Sequence, residues 1–187
     1  MPVEWVLLGL VVLLLLWLVV IYNRLVSLRQ MVSQAWADIE VQLKQRHDLI
    51  PNLVETVKGY AAHESSTLEA VIQARNAAVQ AKGPEQASAA EGQLGAVLGR
   101  LFALSEAYPD LKANTNFLAL QSELSNVENT LAAARRFFNN SVAEYNASIQ
   151  SIPAVFFAGS LGFGPRGFFE LDEGERAATK NAPQVKF

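Results

Sequence analysis

The chain has 187 residues, a formal net charge of −3 and no cysteine. With no basic excess it lacks the electrostatic footprint of a nucleic-acid binder, and without thiols it has no disulfide framework, no cysteine nucleophile and no cysteine-ligated metal. Apolar residues make up 51% of it, a share inflated by one run near the start, and the residues beyond that run suit one domain better than two.

The run is Trp5 to Tyr22 (WVLLGLVVLLLLWLVVIY), eighteen residues without a charge. At ~1.5 Å rise per residue it reaches the length of a helix crossing a ~30 Å hydrocarbon core. A cleaved signal peptide would carry a basic start, a shorter apolar core and a small-residue cleavage site. Here only Glu4 precedes the run, and Tyr22-Asn23-Arg24-Leu25 offers no such site. The reading is an uncleaved single-pass anchor over residues 1–22. Arg24 and Arg29 follow the span and no Lys or Arg precedes it. The positive-inside tendency then puts the N-terminus outside and the rest of the chain in the cytoplasm.

The span passes into NRLVSLRQMVSQAWADIEVQLKQRHDLI without a glycine or proline. Apolar residues fall at Leu25, Leu28, Val32, Trp36 or Ala35, Ile39, Leu43 and Ile50. Steps of three and four mark one helical stripe, so the spacing predicts one long helix that leaves the membrane and enters a bundle. Pro51 deletes one backbone hydrogen bond, but Leu53, Val54, Val57 and Tyr60 resume the pattern. The expectation is a kink, with the helix closing near Ala62. Ser66-Thr67-Leu68-Glu69 fits a capping box for a second helix reaching Lys82. Gly83-Pro84 is a turn with proline at a first helical position. The third helix starts in Ala and Gly and firms up at Leu94, Val97, Leu98, Leu101 and Leu104. Gly92, Gly95 and Gly99 either weaken it or allow close helix contact. The fourth runs from about Asp110 to Gln150, striped by Leu120, Leu124, Val127, Leu131, Ala134, Phe138, Val142, Tyr145 and Ile149.

The two long helices are matched in length and the middle pair are each about half as long. The economical fold is all-α: an antiparallel up-and-down four-helix bundle, residues 23–150, continuing the transmembrane helix. A bundle of three long helices, with the middle pair fused into one broken helix, is the rival. Residues 151–187 form an irregular tail rich in Phe and Gly. Its Phe156, Phe157, Phe163, Phe168 and Phe169, with Phe187 at the end, either pack back on the bundle or contact the bilayer or a neighbouring subunit.

Enzyme signatures are absent. His47 and His63 each adjoin an acid, but neither has a second ligand at helical spacing, and no nucleotide-binding loop or nucleophile elbow is present. No cofactor or metal is expected. Polar residues gather around Pro51 and along the fourth helix. Of these, Arg46, Asp48, Asn52, Glu123 and Arg135 are the candidates for a polar network linking the first and last helices.

QLKQRHDLIPNLVETVKGYAAHE, with its R-x-D-L-I-P-N-L-V core at Arg46 to Val54, resembles the signature of the LemA family. Tyr108 to Asn146 is similar to that family's second block, and FFAGSLGFGPRGFFE resembles its Phe-rich ending. One departure is Phe138, where the family's R-R-F-Y-N would place a tyrosine hydroxyl. The resemblance covers nearly the whole chain. It implies a single-pass bacterial inner-membrane protein with an antiparallel helical bundle, coiled-coil in character, and no active-site residues. Members of the family take part in building magnetosome membrane compartments, or are associated with membrane metalloproteases and other envelope proteins. The expected function is a non-enzymatic scaffold that contacts membrane lipid, self-associates and organises membrane or partner proteins. The alternative is an adaptor or regulator of a membrane protease or envelope-stress component. Surplus apolar surface at Trp36, Tyr60 and the tail suggests a homo-oligomer.

Overall fold

The computed structural model describes residues 3–169, so the last part of the tail, with Phe187, lies outside the described residues. The described chain is all-helical. α1 spans Val3–Lys58, α2 Ser65–Gln80, α3 Gly83–Ser105, α4 the single turn Pro109–Lys112 and α5 Thr115–Gln150, followed by a short 3-10 turn at Ala154–Phe156. Internal contacts divide it into two units, residues 3–37 with 137–167, and residues 38–136 with 168–169.

In the first unit α1 begins as a candidate membrane span. Its most apolar eighteen residues have a mean hydropathy of 2.9 and none of them is buried inside the protein. From Leu25 onward the helix turns a stripe inward: Leu25, Leu28, Val32 and Ala35 are buried, as are Phe138, Val142, Tyr145 and Ile149 of α5. Trp36 meets the Phe138 ring at 5.5 Å, and Arg24 approaches Glu144 at 4.0 Å. The two helices therefore run antiparallel here. Phe138 lies among apolar side chains, where a tyrosine hydroxyl would need a partner.

In the second unit the core is formed by Ile50, Leu53, Val54 and Val57 of α1, Leu68 and Val71 of α2, Leu94, Leu98 and Leu101 of α3, Leu111, and Phe117 and Leu124 of α5. α2 and α3 pack against each other as a hairpin. The turn between them depends on Gly83, whose φ of 75° suits a residue without Cβ. A Cβ at Gly99 would meet nothing within 4 Å, so this glycine is not a point of close helix approach within the chain.

Three boundaries differ from the expectations. α1 ends at Lys58 rather than near Ala62, and α2 starts at Ser65 with no side-chain cap. The amides of Thr67 and Leu68 bond instead to the Glu64 carbonyl. The fourth helix is broken in two. Asn114 ends α4 and caps α5, its Oδ1 accepting the Phe117 amide at 3.0 Å while its Nδ2 donates to the Tyr60 hydroxyl at 2.8 Å. An Asn side chain competes with the backbone for its own amides, which favours caps over helix interiors.

Candidate functional site

Two places carry side-chain chemistry beyond packing. The first, in the second unit, is built around Arg46 and His47. Both are buried and occupy the stripe position between Leu43 and Ile50. Glu91 of α3 is buried opposite them. Arg46 Nη1 donates to Glu91 Oε2 at 2.8 Å, Arg46 Nη2 donates to Glu128 Oε1 at 2.8 Å, and His47 Nε2 lies 2.5 Å from Glu91 Oε1. One guanidinium thus joins α1 to both α3 and α5, and one carboxylate takes two partners from α1. Arg46 Nε is buried without a hydrogen-bond partner.

Pro51 belongs to this arrangement. Having no N–H, it leaves the carbonyl four residues back, that of His47, outside the helix ladder. Arg75 of α2 donates its Nε to that oxygen at 3.3 Å. α1 continues through the proline to Lys58, and the side chain of a neighbouring helix supplies the missing donor. Arg75→Ala should therefore lower stability by about 1 kcal/mol, but by almost nothing in a Pro51→Ala background, where the new amide takes the His47 carbonyl. Urea unfolding of the four variants in one detergent measures this coupling; equal losses in both backgrounds would refute it.

The other expected network residues lie outside the Arg46–Glu91 ion pair. Asp48 is exposed and accepts from Lys44 at 2.7 Å, one turn back on its own helix, rather than reaching α5. The Lys44 hydrogen bond holds its carboxyl below the usual aspartate range. That contribution is present above this range and fades as pH falls through the lowered value; between two exposed side chains it is small. Asn52 is exposed, and its carbonyl accepts from Thr56 within α1. Glu123 accepts from Gln45 at 3.1 Å, an exposed link between α1 and α5. The Arg135 guanidinium stacks over the Phe169 ring at 4.8 Å. A cleft of about 400 Å³ opens beside the cluster, lined by Arg46, Glu91, Gly95, Glu128, Arg135 and Phe169 among others. Both terminal nitrogens of Arg46 are paired with the Glu91 and Glu128 carboxylates, which suits a structural layer. Among the described residues no three His, Asp or Glu side chains converge as metal ligands. Elsewhere in this unit Tyr108, through burial and its hydrogen bond to Glu64 at 3.2 Å, has its phenol pushed above the usual range.

The second place, in the first unit, is the segment after Gln150. Ala154, Ala158 and Phe163 are buried. Phe163 meets the Tyr22 ring edge-on at 5.6 Å and lies 4.9 Å beneath the Arg29 guanidinium. Tyr145 donates its hydroxyl to the Gly164 carbonyl at 3.0 Å, and the Asn146 amide brackets the Arg166 backbone with two bonds of 2.9 Å. The five tail phenylalanines thus have separate fates. Phe163 and Phe169 are buried, Phe157 is half-buried, and Phe156 and Phe168 are exposed.

Sequence comparison bears on both places. The model of the LemA family matches residues 35–187, which include the Arg46 cluster and the folded tail. The chain belongs to the LemA family. A relative in this LemA-family comparison is the magnetosome protein MamQ of Magnetospirillum gryphiswaldense, 28% identical over 168 residues covering 76% of this chain and 62% of that protein. Magnetosome protein MamQ 2 of Paramagnetospirillum magneticum is 26% identical over 175 residues, covering 80% and 64%. Protein LemA of Metamycoplasma hominis is 26% identical over 158 residues, covering 82% and 71%. The chain therefore spans less than two thirds of the length of the MamQ relatives.

Proposed function

We propose that this LemA-family chain is a non-enzymatic scaffold: a four-helix up-and-down bundle carried on α1, anchored in the bacterial inner membrane and self-associating there to organise the membrane or proteins within it. The observation that carries the reading is the continuity of α1. One continuous helix runs from a span none of whose most apolar eighteen residues is buried among the described residues to a stripe that the protein buries. A membrane segment joined in this way holds its soluble domain at the bilayer surface, where a scaffold works. The magnetosome names of two relatives agree with a role at membranes. Arg24 and Arg29 at the exit of the span favour a cytoplasmic bundle with the N-terminus outside.

Self-association needs surface that the fold leaves bare. Trp36 is partly covered by Phe138, and Tyr60 is tied to Asn114. On α2, however, Ile72 and Val79 are exposed, and their seven-residue spacing puts them on one face. Mass measurement of the full chain in mild detergent at micromolar concentration should show a discrete assembly that dissociates in the Ile72→Ser/Val79→Ser variant. A monomer in both forms overturns self-association and turns attention to one-to-one partners such as a membrane protease or another envelope protein. Truncation after Gln150 is a poor substitute, because it removes the buried Phe163.

A further inference from the structure

We infer that the turn at residues 151–162 is a second membrane contact, an interfacial foot that lies in the headgroup region beside the exit of α1. The inference rests on reading α1 as a membrane span. Three observations within one unit carry it.

The first is the turn's own surface. It is compact and closed by backbone bonds: Val155 to Ser151, Ala158 to Ala154, Leu161 to Phe157 and Phe163 to Ala158. Its inner side is apolar, with Ala154, Ala158 and Phe163 buried. Its outer side carries four large apolar side chains among small residues: Ile152 is 79% exposed, Phe156 78%, and Val155 and Leu161 48% each. A surface turn facing only water has no reason to present four large apolar side chains outward.

The second is position. Phe163 closes the turn and packs edge-on against Tyr22, the last residue of the apolar run. The turn is therefore held beside the residue at which α1 would leave the hydrocarbon. Aromatic side chains prefer this depth.

The third is charge. Beyond the span, the described part of this unit holds Arg24, Arg29 and Arg166 against a single carboxylate, Glu144. The chain as a whole is acidic, at −3, so positive charge is gathered where the foot would meet phospholipid headgroups. Apolar side chains inserted shallowly and ringed by arginines fit an anionic bilayer surface.

The chain has no cysteine, so single cysteines can be labelled cleanly. The full chain, in vesicles of phosphatidylethanolamine and phosphatidylglycerol, would carry an environment-sensitive fluorophore at Val12, Phe156, Ser160 or Gln34. Gln34 is exposed on α1, roughly 18 Å beyond Tyr22 at the helical rise. Lipids bearing a nitroxide near the top of the acyl chain then report contact at Phe156, Ser160 and Gln34, and lipids bearing one near the end of the chain report it at Val12. Quenching at Phe156 and Ser160 should exceed that at Gln34 several-fold. In the Ile152→Ser/Phe156→Ser variant, quenching at Ser160 should fall to the Gln34 level while that at Val12 stays unchanged. Both substituted side chains are exposed, and circular dichroism checks that the helices remain. Strong quenching at Val12 with none at Phe156 would overturn the foot and leave the span reading intact. No quenching at Val12 would overturn the span reading, and the foot with it. A probe at Phe156 that is shielded from water yet unquenched would assign the face to a second copy of the chain and likewise overturn the foot.

Discussion

Replacing Arg46 with Ala should lower the stability of the bundle by about 3–5 kcal/mol, because it removes the guanidinium that neutralises the buried Glu91 carboxylate. The two acids bound by Arg46 should respond unequally. Glu91 is buried, and Glu91→Ala should cost about as much as Arg46→Ala. Glu128 is exposed, and Glu128→Ala should cost less than about 1 kcal/mol. The Arg46→Met/Glu91→Leu double variant should recover most of the loss, since a buried ion pair is often no more stabilising than well-packed apolar residues of similar size. Denaturant unfolding followed by circular dichroism in one detergent measures all four. Equal effects at Glu91 and Glu128 would contradict the asymmetry in burial on which the expectation rests.

Phe163→Ala should cost about 3 kcal/mol, the loss expected when a large buried ring is replaced by a methyl. The loss should be local at first. The turn is tied to α1 through the Tyr22 and Arg29 contacts and to α5 through the Tyr145 and Asn146 bonds. Without the ring, amides at Ala158 and Phe163 should exchange hydrogen well before those of the second unit's core at Leu53 and Leu101. Phe163→Leu should keep most of the protection. Uniform loss of protection across both units would mean that the turn does not open independently.

The helical stripes were legible in the sequence because burial imposes its period on a helix. Leu25, Leu28, Val32, Ile39, Leu43 and Ile50 on α1, and Leu124, Val127, Leu131, Phe138, Val142, Tyr145 and Ile149 on α5, are buried as their spacing requires. The partner of Arg46 was not legible in that way, although a signal existed. Ala87, Glu91, Leu94, Leu98, Leu101 and Ser105 are all buried and step by four and three, so Glu91 lies in the apolar stripe of α3. A lone charge in such a stripe points to a buried ion pair. The Ala- and Gly-rich surroundings hid it, and the denser polar residues around Pro51 and on α5 drew attention to groups on those two helices instead. The break at Asn114 was obscured because the apolar pattern on either side is helical, and only the side chain's competition for backbone amides separates α4 from α5. The separate fates of the tail phenylalanines could not be read from composition. They depend on where Tyr22, Arg29 and Arg135 stand in three dimensions.

α1 has no interruption between Val3 and Lys58, so the angular phase of the exposed side chains in its candidate span is locked to the phase of its buried stripe. Each residue advances a helix by about 100°. One residue inserted near Asn23 would turn every face of the span by that angle against the stripe, whereas seven would nearly restore it. The fold thus sets the azimuth of the candidate span: the same ridge of Leu and Val always points the same way relative to Leu25, Leu28, Val32 and Ala35 of the same helix.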